Sequence, residues 1–452
     1  MRILLASEFY YPSVGGVQEV IRQLGEHFVL HGHEVTVATA YLPERQSRSI
    51  GGVQIEEFGV SGNLVRGLSG EVERYQAYVL NADYDVFMVK AAQQWTFDAL
   101  TPVLDQITKP KVFVPCGFSG LYLPEYRKYF AEMPGWLKKW DKLIFYATDY
   151  RDINLARQHE IESLKIIPNG ADEQEFNVAR DPGFRARMKI PQSAFLVLTV
   201  GSLTGLKGHH ELAKAFALSD FGDRPAYLIL NGNIPRPAVD DVGRSRLVSA
   251  ASAVMTTIAT MYRTGGVARV AKWVIRTLFA AAGVIPLLVR LGYVHTESLR
   301  ELVRRINSTT ARRAMLVDLP RAELVQAYLN SNLFCFASKI EYSPLVLYEA
   351  AAAGLPFLSV PVGNSREIAE WTGCGVICPA PVDKEGFTQA DASELARHMS
   401  KLAAEPETLA RLGANGRRTW EQRFTWDKIS RMYEQVFEEC IRSKAGWASS
   451  VE

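Results

Sequence analysis

The sequence predicts an α/β protein built from two doubly wound domains, and three observations carry that expectation. At 452 residues the chain is long enough for two hydrophobic cores. Two separate segments, one opening at Ile3 and one at Phe195, read as an apolar strand, a glycine turn and a helix. Further short apolar runs alternate with helical stretches, the pattern of parallel sheets covered by helices.

Composition narrows the functional classes. Lys and Arg number 51 against 49 Asp and Glu, and a net charge of +2 makes no general case for nucleic acid. The five cysteines are scattered; Cys374 and Cys378 lie close together, but no second pair or histidine cluster completes a zinc site. A reducing, cytoplasmic setting is the simplest expectation. The opening Met1–Pro12 reads as strand then loop rather than a signal peptide. No uncharged apolar run reaches the ~18 residues a membrane span requires.

In the first half, Ile3–Ala6 reads as a buried strand and Ser7–Ser13 as a loop. Gly15 and Gly16 open a helix whose Val17, Val20, Ile21, Leu24 and Phe28 share one face, and Gly32 closes it. Val35–Ala38 is the next strand, so a glycine turn lies at the carboxyl end of the first strand, where such sheets take ligands. Val86–Val89 and Val112–Val114 follow as strands. Asp83-Tyr84-Asp85 has the look of a D-x-D metal site, but it merely leads into a strand. Leu121–Lys142 interleaves aromatic and basic residues. It reads either as a half-buried helix with a solvated basic face or as a membrane-surface or acceptor-binding helix.

Asp181-Pro182-Gly183 to Pro191 reads as a linker, giving domains at about 1–180 and 190–425. The second half opens as the first did: strand Phe195–Val200, a loop from Gly201, then Lys207-Gly208 before a helix. Tyr227–Gly232 is a strand and its turn, and Ala314–Val317 and Leu333–Ala337 are later strands.

The most informative stretch is Glu341–Gly354. Ser343 is expected as the helix N-cap with Pro344 at the first helical position, and Gly354 and Pro356 stop the helix before the strand Phe357–Val360. The amides of Leu345 and Val346 then lack intrahelical partners and form an anion site suited to a pyrophosphate. Glu341 and Glu349, with seven residues between them, flank that site. Two carboxylates beside an anion site suit the hydroxyls of a sugar joined to phosphate better than phosphate itself.

This E-x7-E at a strand–helix junction resembles the retaining glycosyltransferases of the two-Rossmann-domain (GT-B) type, family 4. Other segments resemble the same family. Ile166-Ile167-Pro168-Asn169-Gly170-Ala171-Asp172 is similar to its I-P-N-G-x-D, and Pro361–Glu367 to its G-x-x-E turn. Two departures stand out. Ser202 occupies the Arg position of the family's G-R-x4-K-G while Lys207 matches its Lys, and Cys116-Gly117 replaces a cleft His-Gly.

The resemblance implies two Rossmann-like domains facing a cleft, with a helix from Trp426 onward (426–452) crossing back to the first. It implies transfer of a sugar from a nucleoside diphosphate-sugar to a glycan or lipid-linked acceptor, with retention and without metal or other cofactor. Cell-envelope or polysaccharide synthesis is the expected setting. Glu341 would orient the sugar and, with Lys207, serve catalysis. Gly15, Gly16, Ser202, Lys207, Ser343, Pro344, Leu345, Val346 and Glu349 would bind the donor. Tyr10, Cys116 and Gly117 would lie at the acceptor, with no catalytic role for Cys116. Lys207 is expected as the one obvious fixed cation at the phosphates, and Glu349→Ala as nearly neutral for folding. A non-catalytic nucleotide-sugar-binding subunit, or an epimerase or phosphorylase on the same fold, are the alternatives.

A stretch at about 235–293 interrupts the expected order. From Arg263 to Arg313 there are ten basic residues against Glu297 and Glu301. Arg269, Lys272 and Arg276 share one helical face, with Val270, Trp273, Val274 and Leu278 on the other sides. Leu278–Val289 is apolar but too short to span a bilayer and contains Pro286. This pattern suits the plane of an anionic membrane surface, with an additional helical pair or a dimer contact as the alternative.

Overall fold

The computed structural model describes residues 1–232, 298–309, 311–384 and 386–448. The strands of the first half are β1 (Arg2–Ala6), β2 (Glu34–Ala40), β3 (Ser49–Ile50), β4 (Val53–Phe58), β5 (Val60–Asn63), β6 (Gly67–Gly70), β7 (Val86–Lys90), β8 (Lys111–Val114), β9 (Lys142–Phe145) and β10 (Leu164–Ile166). Eight of them form one sheet in the order β10-β9-β8-β7-β1-β2-β4-β3, parallel except where β3 meets β4, while β5 and β6 pair separately. The second half contributes β11 (Phe195–Val200), β12 (Ala226–Asn231), β13 (Arg312–Val317), β14 (Leu333–Phe336), β15 (Phe357–Ser359) and β16 (Gly375–Ile377). Their sheet runs β13-β12-β11-β14-β15-β16 and is parallel throughout.

Both sheets are doubly wound, so strand order reverses beside β1 in one and beside β11 in the other. At each reversal the loops leaving adjacent strands diverge and open a crevice at the carboxyl edge. The pairing Ala6 with Val89 fixes one crevice, and Leu198 with Phe334 fixes the other.

The helices include α1 (Gly16–Leu30), α2 (Arg127–Leu137), α3 (His209–Leu218), α4 (Leu299–Asn307), α5 (Arg321–Asn330), α6 (Leu345–Ala352) and α7 (Trp426–Ala448). One face of α1 buries Val20, Ile21, Leu24 and Phe28 against the first sheet. Trp426, Ile429, Tyr433, Val436 and Phe437 of α7 join that same cluster, with Phe28 and Phe437 ring centroids 5.6 Å apart. The chain therefore ends by covering its own first sheet. This burial of large side chains stabilises the crossing by roughly 1.5–3 kcal/mol for each fully buried one.

The two halves meet through aromatic and polar contacts. Tyr342 lies between Tyr146 and Tyr150, with centroids 5.3 and 4.9 Å away. The Tyr146 amide donates to the Tyr342 hydroxyl at 2.9 Å, and Asn364 Nδ2 donates to the Tyr146 carbonyl at 2.9 Å. Glu367 accepts from the amides of Thr148 and Asp149 at 3.0 and 3.1 Å.

Several sequence expectations change. The membrane-surface reading of Leu121–Lys142 loses its apolar face, because Tyr126, Tyr129, Phe130, Met133 and Trp140 are buried in the first domain. The exposed positions of α2 are Arg127, Lys128, Ala131, Glu132 and Gly135, so the half-buried reading holds. The helix after Glu341 begins one residue later than expected, with Pro344 as its cap and no side-chain capping bond from Ser343. Residues 235–293 lie outside the described residues. Five of the ten bases counted with them do not belong there. Arg300, Arg304 and Arg305 are on α4, which Ser298 and Glu301 start with a reciprocal capping box, and Arg312 and Arg313 are on β13. Among the described residues no helix is long and apolar enough to cross a membrane.

Candidate functional site

The two crevices face each other across one cavity of about 910 Å³. From the first half come Gly15 and Gly16 at the mouth of α1, with Tyr11, Arg22, Lys90, Cys116 and Tyr146. From the second come Ser202 and Lys207, then Arg321, Glu341, Ser343, Pro344, Leu345, Val346 and Glu349. Of the thirteen residues expected at a site, eleven line this cavity. Tyr10 does not: it is fully buried in the first-domain core, and its exposed neighbour Tyr11 lines the cleft instead. Gly117 lies behind the wall, its amide donating to Asp152 Oδ2 at 2.8 Å.

Local geometry explains the Lys207-Gly208 pair. Gly208 caps α3 with φ of 70°, and a Cβ there would stand 2.0 Å from the Ala337 carbonyl oxygen. Glycine is required for that close approach to the end of β14. The turn carries Lys207 over the cavity, where its Nζ pairs with Glu341 Oε1. Ser338 Oγ donates to the same oxygen at 2.8 Å, so Glu341 is held from two sides. Gly16 differs from Gly208: nothing lies within 4 Å of where its Cβ would be, which leaves the mouth of α1 open.

Glu349 is held as firmly. Arg321 Nη2 donates to its Oε1 at 2.7 Å and the Tyr328 hydroxyl to its Oε2 at 2.8 Å. Burial and the adjacent carboxylate push Tyr328 well above the ordinary tyrosine range, so it stays a donor. Arg321 Nε also bonds both oxygens of Glu175 at 3.0 Å. Lys207 is thus not the one fixed cation: Arg321 lines the same cavity. A sequence signal for it existed. An arginine in the first turn of a helix opposes the helix dipole, so Arg321 directly after Pro320 has no local reason to be there.

Chemically the arrangement offers two cations and the unpaired amides at the mouth of α6 for phosphate charge. Beside them are two oriented carboxylates able to accept from hydroxyl groups. Among the described residues no group of three or more His, Cys, Asp or Glu is placed to hold a metal ion. Asp83 and Asp85 instead pair with Arg2 at the start of β1, which accounts for the D-x-D.

Known glycosyltransferases resemble this chain in sequence and in fold. Residues 310–419, which carry Arg321, Glu341 and Glu349, match the family described as Glycosyl transferases group 1. The chain is 30% identical over 120 residues to an MMP alpha-(1->4)-mannosyltransferase of Mycolicibacterium hassiacum, a match spanning 26% of this chain and 27% of that protein. Among solved structures, sucrose-phosphate synthase from Thermosynechococcus elongatus superposes with a TM-score of 0.66 at 18% identity, covering 98% of this chain and 99% of that one. Anabaena HepE in complex with UDP-glucose superposes at 0.61 with 15% identity, covering 97% and 100%. The fold is therefore GT-B, and the part of the cleft that carries Glu341 and Glu349 matches the group 1 glycosyltransferases.

Proposed function

We propose that the protein is a retaining glycosyltransferase that moves a sugar from a nucleoside diphosphate-sugar to a glycan or lipid-linked acceptor. The observation that carries this reading is the convergence of Glu341 and Glu349 on one cavity with Lys207, Arg321 and the mouth of α6. Glu349 would accept from the ribose hydroxyls and Glu341 from the sugar. In the transfer the bond from the anomeric carbon to the leaving phosphate oxygen breaks. The acceptor oxygen bonds that carbon on the same face, and its proton passes to the leaving phosphate. Lys207, Arg321 and the amides of Leu345 and Val346 would stabilise the charge that develops there, a role fixed donors perform without reorganisation. None of these steps calls for a metal.

The UDP complexes of the neighbour HepE and the mannosyl transfer named for the M. hassiacum protein support a nucleotide-sugar donor. We extend the proposal to location, a peripheral position on the cytoplasmic face of a membrane in cell-envelope or polysaccharide synthesis. Its support is the sequence of 235–293, where Arg263, Arg269, Lys272, Arg276 and Arg290 accompany Trp273 and Phe279.

The test is a panel of nucleotide sugars in a thermal-shift assay, followed by product analysis of the one that binds. A product with the donor's anomeric configuration is expected. Binding without turnover across a broad acceptor panel would instead favour a non-catalytic subunit.

A further inference from the structure

Lys90 is the last residue of β7, beside the point where the strand order of the first sheet reverses. It is 1% exposed, yet it lines the cleft. Its Nζ donates to the Tyr146 hydroxyl, lies 4.5 Å from the centroid of that ring, and is 3.7 Å from Cys116 Sγ. Among the described residues no carboxylate forms an ion pair with it, and burial lowers its pKa below the ordinary lysine value.

The other cations of the cleft are answered. Lys207 faces Glu341, Arg321 faces Glu175 and Glu349, and Arg22 faces Glu19 and Glu26. An ammonium removed from water costs several kcal/mol unless an opposite charge offsets it. With Tyr146 and Cys116 but no carboxylate beside it, burial favours the neutral amine of Lys90, and an anion bound there would favour the ammonium. The same cavity receives the open mouth of α1 at Gly15 and Gly16. An ammonium together with helix-terminal amides suits a tetrahedral oxyanion.

We infer that Lys90 is the anion-binding group of the acceptor side, and that the acceptor carries a phosphate ester which Lys90 and the mouth of α1 receive. The inference rests on the glycosyltransferase reading and adds a substrate class to it. It separates two phosphate sites in one cleft, the donor pyrophosphate at Lys207, Arg321 and α6 and the acceptor phosphate at Lys90, and it moves Gly15 and Gly16, expected at the donor, to the acceptor side. The phosphate belongs either to a soluble phosphosugar or to a lipid headgroup, and both present the same chemistry to Lys90.

The test uses the full chain saturated with whichever of UDP, GDP or ADP binds best, into which inorganic phosphate is titrated by calorimetry. Phosphate should bind the wild type and bind Lys90→Met at least about tenfold more weakly. Nucleoside diphosphate affinity should be equal in the two. Equal phosphate affinity in both, or none in the wild type, overturns the inference. So does a comparable loss of nucleoside diphosphate affinity in Lys90→Met, which would move the lysine to the donor. Failure of every nucleoside diphosphate to bind sinks the glycosyltransferase reading instead.

A second measurement needs no variant and no nucleotide. Cys116 is the partly exposed thiol of the five, and Cys335, Cys374, Cys378 and Cys440 are buried. Phosphate should slow its alkylation by iodoacetamide about threefold or more, with chloride at equal ionic strength as the control for screening. Equal rates overturn the inference. Protection by glucose 6-phosphate assigns a soluble phosphosugar; protection only by vesicles containing a polyprenyl phosphate assigns a lipid.

Discussion

Arg321 Nη2 donates to Glu349 Oε1 at 2.7 Å, tying the first turn of α5 to the middle of α6. The same guanidinium reaches Glu175, so one side chain joins three elements at the rim of the cleft. That link changes what a substitution at Glu349 does.

Glu349→Ala should weaken donor binding by ~1.5–3 kcal/mol if the carboxylate holds the ribose. It should also destabilise the fold by ~1–3 kcal/mol, because the buried Tyr328 hydroxyl loses its acceptor. The sequence alone pointed to a nearly neutral effect on folding, and the Tyr328 hydrogen bond is the reason for predicting otherwise. Glu349→Gln keeps an acceptor and should recover most of the stability while binding donor weakly. Calorimetry and urea unfolding separate the two effects; unchanged donor affinity in both variants removes Glu349 from the site.

Lys207→Ala should abolish most turnover, since it removes a cation from the phosphates and frees Glu341 from its ion pair. Glu341 keeps Ser338 as a donor, so it should stay in place. Ser202→Arg should tighten binding of free nucleoside diphosphate, because Ser202 lines the cavity with only a neutral hydroxyl. If that variant binds no more tightly in a titration, Ser202 does not face the pyrophosphate.

His209, directly after Gly208, predicts an acid limb of stability. Burial pushes its imidazole down from 6.5 to about 4. The unfolded chain takes up that proton first. The contribution is therefore complete above pH 6.5 and is lost as pH falls from there toward 4, by up to ~3 kcal/mol. His209→Gln should flatten that part of the profile relative to wild type. Parallel profiles for the two proteins in urea unfolding at pH 7, 6, 5 and 4 would mean that other groups carry the limb.

Deleting Pro237–Gly292 with a short linker should leave donor binding intact and release the protein from anionic liposomes in flotation. With Arg300, Arg304, Arg305, Arg312 and Arg313 assigned to α4 and β13, the deleted stretch holds seven bases (Arg244, Arg246, Arg263, Arg269, Lys272, Arg276 and Arg290) against Asp240 and Asp241. At about 1 kcal/mol each near an anionic surface they suffice for a salt-sensitive association. A deleted protein that still floats places the anchor elsewhere. Leu121–Lys142 is no longer a good candidate, since Tyr126, Tyr129, Phe130 and Trp140 are buried.

The sequence by itself determined the parallel α/β architecture and both glycine turns. Apolar runs such as Phe195–Val200 are continuous because both faces of a doubly wound sheet are covered, and that pattern is local enough to read directly. It also marked Glu341 and Glu349, because a strand–helix junction imposes a recognisable order of residue types over a dozen positions. Only the tertiary structure decided what surrounds them. Lys207 meets Glu341 across 134 residues, and Tyr342 settles between Tyr146 and Tyr150 across nearly 200. No spacing rule reports such distances. The same holds for exposure: Tyr10 and Tyr11 are adjacent tyrosines in one loop, yet one is core and the other cleft. Lys90 follows the apolar run Val86–Val89 with no motif to mark it, and only the packing of Tyr146 and Cys116 around it leaves a buried lysine without a carboxylate partner among the described residues. Charge pairing and burial depend on elements brought together from far apart in the chain, so they are settled by the fold and not by any local run of residues.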